Sequence, residues 1–348
     1  MTTELELPFA CDLHVHLRQG NLMKSVTPKL TEGGVQTAFV MPNLTPPIRN
    51  TEQALKYWEE LKAINPNVTY LMSLYLSPEL TPEEIFKASE NGIVGVKSYP
   101  RGVTTNSESG IESYETYYPI FEAMEKCNMV LNLHGEIPSN PDQGICILNA
   151  EEKFLVELQK LHAKFPKLRI VLEHATTKAA VEMVKSLGDT VGCTITVHHL
   201  DLIIDDWASN THNFCKPVAK FPHDRDALRQ IVKEGHPRFF LGSDSAPHPK
   251  HAKLTNQPCA GVYTTPHILP YLATVFEKLG CLENLENYSC LNGAKFYQLD
   301  LEKLKSRKLK LVKETWQVPE EHKFTLDSGE PSCVVPFLAG KSLNWRIL

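Results

Sequence analysis

Short runs of apolar, β-branched and aromatic residues recur along the chain, separated by longer stretches whose apolar positions fall three and four apart. The runs predict strands at 9–15, 36–41, 69–76, 94–98, 129–134, 169–174, 192–198 and 239–243. Most are apolar almost throughout rather than alternating, as in parallel strands covered on both faces. The longer stretches predict helices at 51–64, 82–90, 114–127, 150–165, 177–187 and 224–234. Thr51, followed by Ala54, Leu55 and Trp58, marks one helix start, and Thr81-Pro82-Glu83-Glu84 marks another.

About eight such β–α alternations predict an α/β fold, and a closed (β/α)8 TIM barrel rather than a doubly wound sheet. No Gly-rich phosphate loop follows the first strand, which weakens the dinucleotide-binding alternative. From residue 303 onward the pattern changes, with strand-like pieces at 309–312 and 334–338. This C-terminal extension, 303–348, is expected to pack on the barrel, so that 1–348 form a single domain.

Composition narrows the class of function. With 42% hydrophobic and 22% charged residues the chain has enough apolar content for a packed core, against wholesale disorder. A net charge of -5 with mixed signs lacks the concentrated positive face that nucleic acid requires. The exception is the run Lys303, Lys305, Arg307, Lys308 and Lys310, whose interleaved leucines mark it as a solvated face of an ordinary element. The first ten residues carry Glu4 and Glu6 and no basic segment, unlike a secretory leader. No run of about 18 apolar residues predicts a membrane span. Nine scattered cysteines without CxxC pairs read as free thiols, and the expected location is cytoplasmic.

The chemistry gathers at the predicted strand ends. Asp12-Leu13-His14-Val15-His16 closes the first strand, and residues two apart on a strand point the same way, so both imidazoles can aim at one spot. In a barrel that spot lies at the C-terminal mouth. His134 and His174 close two further strands, and Asp244 follows the last. Each has an ordinary alternative, a loop hydrogen bond for a histidine or a helix cap for the aspartate. Together, four histidines and one aspartate at strand ends suit zinc. Five ligands exceed what one open tetrahedral site needs and fit two ions sharing a bridge. That draws attention to Lys97 in Gly95-Val96-Lys97-Ser98-Tyr99, which is either a snorkelling side chain or, carboxylated, an anionic bridge.

This constellation resembles the amidohydrolase superfamily and, within it, the dihydroorotases of the shorter bacterial and fungal type. The resemblance is carried by Asp12-Leu13-His14-Val15-His16-Leu17-Arg18, Met41-Pro42-Asn43-Leu44, Lys97-Ser98-Tyr99-Pro100, Thr104-Thr105-Asn106-Ser107, Leu133-His134-Gly135-Glu136, Leu172-Glu173-His174-Ala175, Gly242-Ser243-Asp244-Ser245-Ala246-Pro247-His248 and Asn292-Gly293-Ala294. It implies two zinc ions per chain, His14 and His16 on one and His134 and His174 on the other. Carboxylated Lys97 and a hydroxide would bridge them, and Asp244 would bind the first zinc and serve as general base, then acid.

The same resemblance implies that Arg18, Asn43 and His248 hold a substrate carboxylate, Arg18 through its planar fork. Thr104 and Thr105 would ride on a loop that folds over the substrate. Lys216 and Ala260 would meet the ring amide, chiefly through backbone atoms, and His134 counts among the substrate contacts too. A salt bridge for Arg18, a turn role for Asn43 and a plain polar loop for the threonines are the local alternatives. The remaining histidines, His198, His199, His251 and His267, match no ligand position and are expected to be structural or exposed. The implied reaction is the reversible, zinc-dependent interconversion of N-carbamoyl-L-aspartate and dihydroorotate, and the implied assembly a homodimer. A hydantoin- or allantoin-type amidase, and a barrel without activity kept as an assembly partner, are the other readings.

Overall fold

A computed structural model describes residues 3–348. The chain begins with β1 (Glu4–Pro8) and turns directly into β2 (Ala10–Val15), then β3 (Val35–Val40). The predicted third strand is two pieces in line, β4 (Thr69–Leu71) and β5 (Ser73–Tyr75), interrupted at Met72. β6 (Gly95–Ser98), β7 (Val130–His134), β8 (Arg169–Glu173), β9 (Val191–Ile195) and β10 (Phe239–Leu241) follow. Two parallel runs, β2-β3-β4 and β5-β6-β7-β8-β9-β10, meet through the β4–β5 break. The ring closes where Asp244 N donates to His14 O at 2.9 Å and His16 N to Ser245 O at 3.1 Å. With β4 and β5 counted as one, eight parallel strands enclose the barrel.

The period-2 rule sorts the strand residues into two layers. Leu131, Leu133, Ile170, Leu172 and Ile195 join the large apolar cluster with helix residues such as Leu158, Val181 and Ile231. Val130, Val171, Phe39 and Phe240 instead form a separate cluster that ends on Tyr297. That second row continues upward along β7 and β8 as polar side chains: Asn132 donates to Glu173 Oε1 and to the Tyr297 hydroxyl, each at 2.6 Å. The next residue on the row is His134. Alternation thus aims His134, and by the same count Lys97 on β6, away from the helices.

Helices Thr51–Ile64 and Pro82–Glu90 fall on the predicted ranges. Thr81 caps the second as expected, but the first is capped by Asn50, which accepts from Gln53 N, so Thr51 is its first helical residue. Several strands end earlier than the apolar pattern suggested, β9 at Ile195 and β10 at Leu241. The chain leaves the ladder there to present site residues, and apolar burial outlasts strand pairing.

The extension differs in detail from the expected pieces. β11 (Lys308–Gln317), β12 (His322–Thr325), β13 (Pro331–Val334) and β14 (Ser342–Ile347) are its strands, and 335–338 is not one. β11 lies between β1 and β14 in an antiparallel sheet, a pairing whose partner strand the sequence pattern missed. The basic run is locally neutralised: Lys308 pairs with Glu6 and Lys310 with Glu4 across β1 and β11. The sheet packs on helix Ile268–Leu279 through fully buried Trp345, whose Nε1 donates to Glu277 Oε2 at 3.2 Å.

Candidate active site

The site lies in a narrow pocket at the C-terminal mouth of the barrel. His14, His16, Arg18, Asn43, Tyr99, Thr104, Thr105, His134, His174, Lys216, Asp244 and Ala260 contribute to its lining, so nearly every candidate from the sequence converges there. Lys97 lies buried beneath, with its Nζ 5.2 Å from the Tyr99 ring centroid, and His248 stands behind Arg18.

Three of the residues bring their donor atoms within 4.8 Å of one another: His14, His16 and Asp244. Asp244 Oδ1 is 3.1 Å from His16 Nε2 and 3.4 Å from His14 Nε2. The His174 ring is centred 5.0 Å from His14 and 4.7 Å from His134, so the four imidazoles form a continuous arc. Arg18, His174 and Asp244 all hold positive φ, at 61°, 41° and 45°. Strained backbone of this kind persists where surrounding contacts fix it, and it concentrates at working sites. Gly242 supplies the room: a Cβ there would come within 2.6 Å of Thr194 Cβ and 2.9 Å of His14 Cβ.

Carboxylates beneath the arc orient it. Glu173 Oε2 accepts from His14 Nδ1 at 2.8 Å, which fixes the ring and leaves Nε2 facing Asp244. Glu136 Oε2 lies 2.8 Å from His134 Nε2. Asp12 accepts from Ser243 N and Oγ, tying β2 to the segment that carries Asp244. Glu173 and Glu136 lie inside the Leu172-Glu173-His174-Ala175 and Leu133-His134-Gly135-Glu136 motifs, where sequence alone gives them no task. The available signal was their position, one before and two after a strand-end histidine.

Charge in this enclosure is unevenly settled. Burial pushes Lys97 down to about 8, and its Nζ is buried without a hydrogen-bond partner. Burial also holds His174 well below the usual imidazole range, helped by neighbouring His134 and Lys97, and its Nδ1 is likewise unpartnered. His16 falls to about 4, chiefly through burial. For Asp244, burial opposes ionisation, but hydrogen bonds from His14 and His16 outweigh it and hold the carboxyl well below its ordinary value. Burial lowers His134 too, whereas for His14 burial and Lys97 are outweighed by Glu173 and Asp244, which raise it. Three imidazoles held neutral, a fourth paired with carboxylates, an ionised Asp244 and an orphaned amine fit a metal centre, whose ligands must be deprotonated when the cation binds.

Above the arc, Arg18 Nη2 is 3.0 Å from His248 Nε2, and Arg18 Nε donates to Pro247 O at 3.0 Å. His248 Nε2 is also 3.0 Å from Ala260 O, so this one nitrogen can either accept from Arg18 or donate to Ala260. The segment with Thr104 and Thr105 lines one side of the pocket. It is latched through Asn43, whose Nδ2 donates to Thr105 O at 3.0 Å and whose own carbonyl accepts from Asn106 Nδ2 at 2.9 Å. Asn43 thus holds the loop, a contact the sequence did not suggest. His198 and His199 are buried behind the site, His199 hydrogen-bonded to Thr196 Oγ1 and Pro217 O, and His251 is exposed.

A parallel barrel with this arc of histidines and an aspartate at its mouth defines the amidohydrolase class, and the family model described as Amidohydrolase matches residues 15–189. The chain is 52% identical to a dihydroorotase of Mycosarcoma maydis, over 99% of this chain and 98% of that one. It is 44% identical to the dihydroorotase of Saccharomyces cerevisiae, whose crystal structure with 5-fluoroorotic acid superposes with a TM-score of 0.94, over 100% of this chain and 99% of the other. A Campylobacter jejuni dihydroorotase structure, 34% identical, reaches 0.88 with 100% and 98% covered. The chain belongs to the dihydroorotase family. An L-hydantoinase of Arthrobacter aurescens, 18% identical with a TM-score of 0.81 over 99% and 83%, shares the fold.

Proposed function

We propose that this chain catalyses the reversible cyclisation of N-carbamoyl-L-aspartate to (S)-dihydroorotate and water, the third step of pyrimidine synthesis, at a pocket that holds two zinc ions. The observation that carries the reading is Lys97: fully buried, unpartnered and lowered toward neutrality among four histidines and Asp244. A cation has no reason to sit there unpaired. Carbon dioxide bonded to its neutral Nζ, with loss of a proton, gives an anionic carbamate able to join two ligand sets. His14, His16 and Asp244 form one set, and His134 and His174 the other. When bound, the zinc ions supply Lewis acidity that activates water and polarises an amide carbonyl.

In ring opening, the C–N bond of the ring amide breaks as water adds to the carbonyl carbon. Asp244 Oδ takes the proton of the attacking water and returns it to the ring nitrogen, and ring closure reverses each transfer. Arg18, with His248 beside it, grips the substrate carboxylate, and Asn43 joins that contact while latching the loop. Thr104 and Thr105 cover the substrate and exclude water. Lys216 and Ala260 meet the ring amide through backbone atoms.

The Arg18–His248 pair favours a substrate that bears a carboxylate over a neutral hydantoin. Ring opening of dihydroorotate is therefore measured against dihydrouracil, with metal content determined on the same sample. About two zinc ions per chain and turnover of dihydroorotate alone are expected, and a metal-free chain with full activity would overturn the reading. We further infer one domain with 303–348 as its extension, a homodimer, and a cytoplasmic location. The last is supported by nine free thiols.

A further inference from the structure

Lys253 ends the short helix Lys250–Lys253, five residues beyond His248 and outside the pocket lining. It is only 3% exposed. Its Nζ donates to three backbone carbonyls, Gly261 O at 2.7 Å, Phe214 O at 2.8 Å and Cys259 O at 3.0 Å. An ammonium has three donors and no acceptor, so all of its hydrogen-bonding capacity is spent on main chain. Burying a charge is costly, and charge-assisted bonds of this kind offset that cost.

The three carbonyls lie on two separate segments. Phe214 precedes Cys215-Lys216 in the stretch after β9, while Cys259 and Gly261 flank Ala260 in the stretch after β10. The segments also touch directly, with Gly261 N donating to Phe214 O at 2.9 Å. Gly261 is pressed so close to the barrel that a Cβ would lie 2.3 Å from Ala246 O. Lys216 and Ala260 emerge from this joint into the pocket.

We propose that Lys253 is a positioning residue that clamps these two segments so that the peptide groups at Lys216 and Ala260 meet the substrate's ring amide. The inference rests on the ring-amide role proposed above for those two residues. Lysine suits the task because three convergent carbonyls match a tetrahedral ammonium. A planar guanidinium cannot point its donors to one apex in that way.

The test compares two competitive ligands in the zinc-loaded enzyme. Orotate carries both the ring amide and the carboxylate, whereas succinate offers carboxylates without a ring. Lys253→Met keeps the apolar stem and removes all three donors. Orotate binding and the KM for dihydroorotate should each weaken about tenfold, near the value of a charge-assisted hydrogen bond. The Ki for succinate should stay within about twofold and zinc content should not change. Lys253→Gln, with two N–H donors, should recover part of the orotate affinity, and it serves as the reading if the methionine variant fails to fold. Equal weakening of both ligands, or a lower Tm with orotate affinity intact, would overturn the clamp. Wild-type enzyme that binds succinate but not orotate would instead count against the ring-amide role itself.

Discussion

Glu173 Oε2 lies 2.8 Å from His14 Nδ1, both side chains wholly buried, while the other oxygen of the same carboxylate accepts from Asn132. One residue therefore holds the tautomer of His14, a proposed metal ligand on β2, and anchors it to the interior of β7 and β8. Removing such a partner loosens a metal ligand without removing it. Glu173→Gln is expected to weaken metal affinity by about 10- to 100-fold, read by chelator competition, with the fold preserved by circular dichroism. Affinity equal to wild type would separate Glu173 from the metal centre.

Lys97→Ala removes the one side chain whose carbamate could join the two ligand sets. Loss of most activity and of the second metal is expected, with partial recovery on adding short carboxylic acids that fill the vacated space. A variant with normal zinc content and normal rate would end the carbamate assignment.

Asp244→Asn keeps the shape of the side chain but removes its basicity. The kcat should fall by about two to four orders of magnitude, the range for a lost general acid/base. Because Asp244 also touches His14 and His16, zinc must be measured in the same sample. Near-normal turnover with both ions bound would take proton transfer away from it.

If Arg18 grips the substrate carboxylate as proposed, in ground and transition states alike, Arg18→Met should chiefly raise KM. The loop acts later. Replacing Thr104 with Ala and Thr105 with Val removes two hydroxyls while leaving the Asn43–Thr105 backbone latch, so kcat should fall with the metal retained. Wild-type turnover in the double variant would make the loop a passive segment.

Trp345 and Lys308 test the extension from opposite ends of the energy scale. Trp345→Ala empties a fully buried site against helix Ile268–Leu279 and should cost about 3–5 kcal/mol in one cooperative transition. Lys308→Ala breaks only an exposed pair with Glu6 and should change stability by less than about 1 kcal/mol. A separate low-temperature transition in the tryptophan variant would show the extension unfolding as its own domain.

The sequence by itself determined the approximate positions of the barrel strands, the α/β alternation and which candidate residues meet at one pocket. Each depends on local pattern: apolar runs set the strands, and residues two apart near the end of a run share one face. Asn50 in place of Thr51 as a cap, and the early ends of β9 and β10, are the usual ambiguities of neighbouring positions. Tertiary structure alone decided what depends on long separations. Glu173 meets His14 across 159 residues, β1 finds β11 at the far end of the chain, and Lys253 gathers carbonyls from two loops. None of these pairings leaves a periodic trace, because a single buried polar contact constrains two positions and nothing between them. The unpartnered state of Lys97 was equally invisible, since a lysine within an apolar strand reads the same whether its amine reaches water or is sealed among histidines.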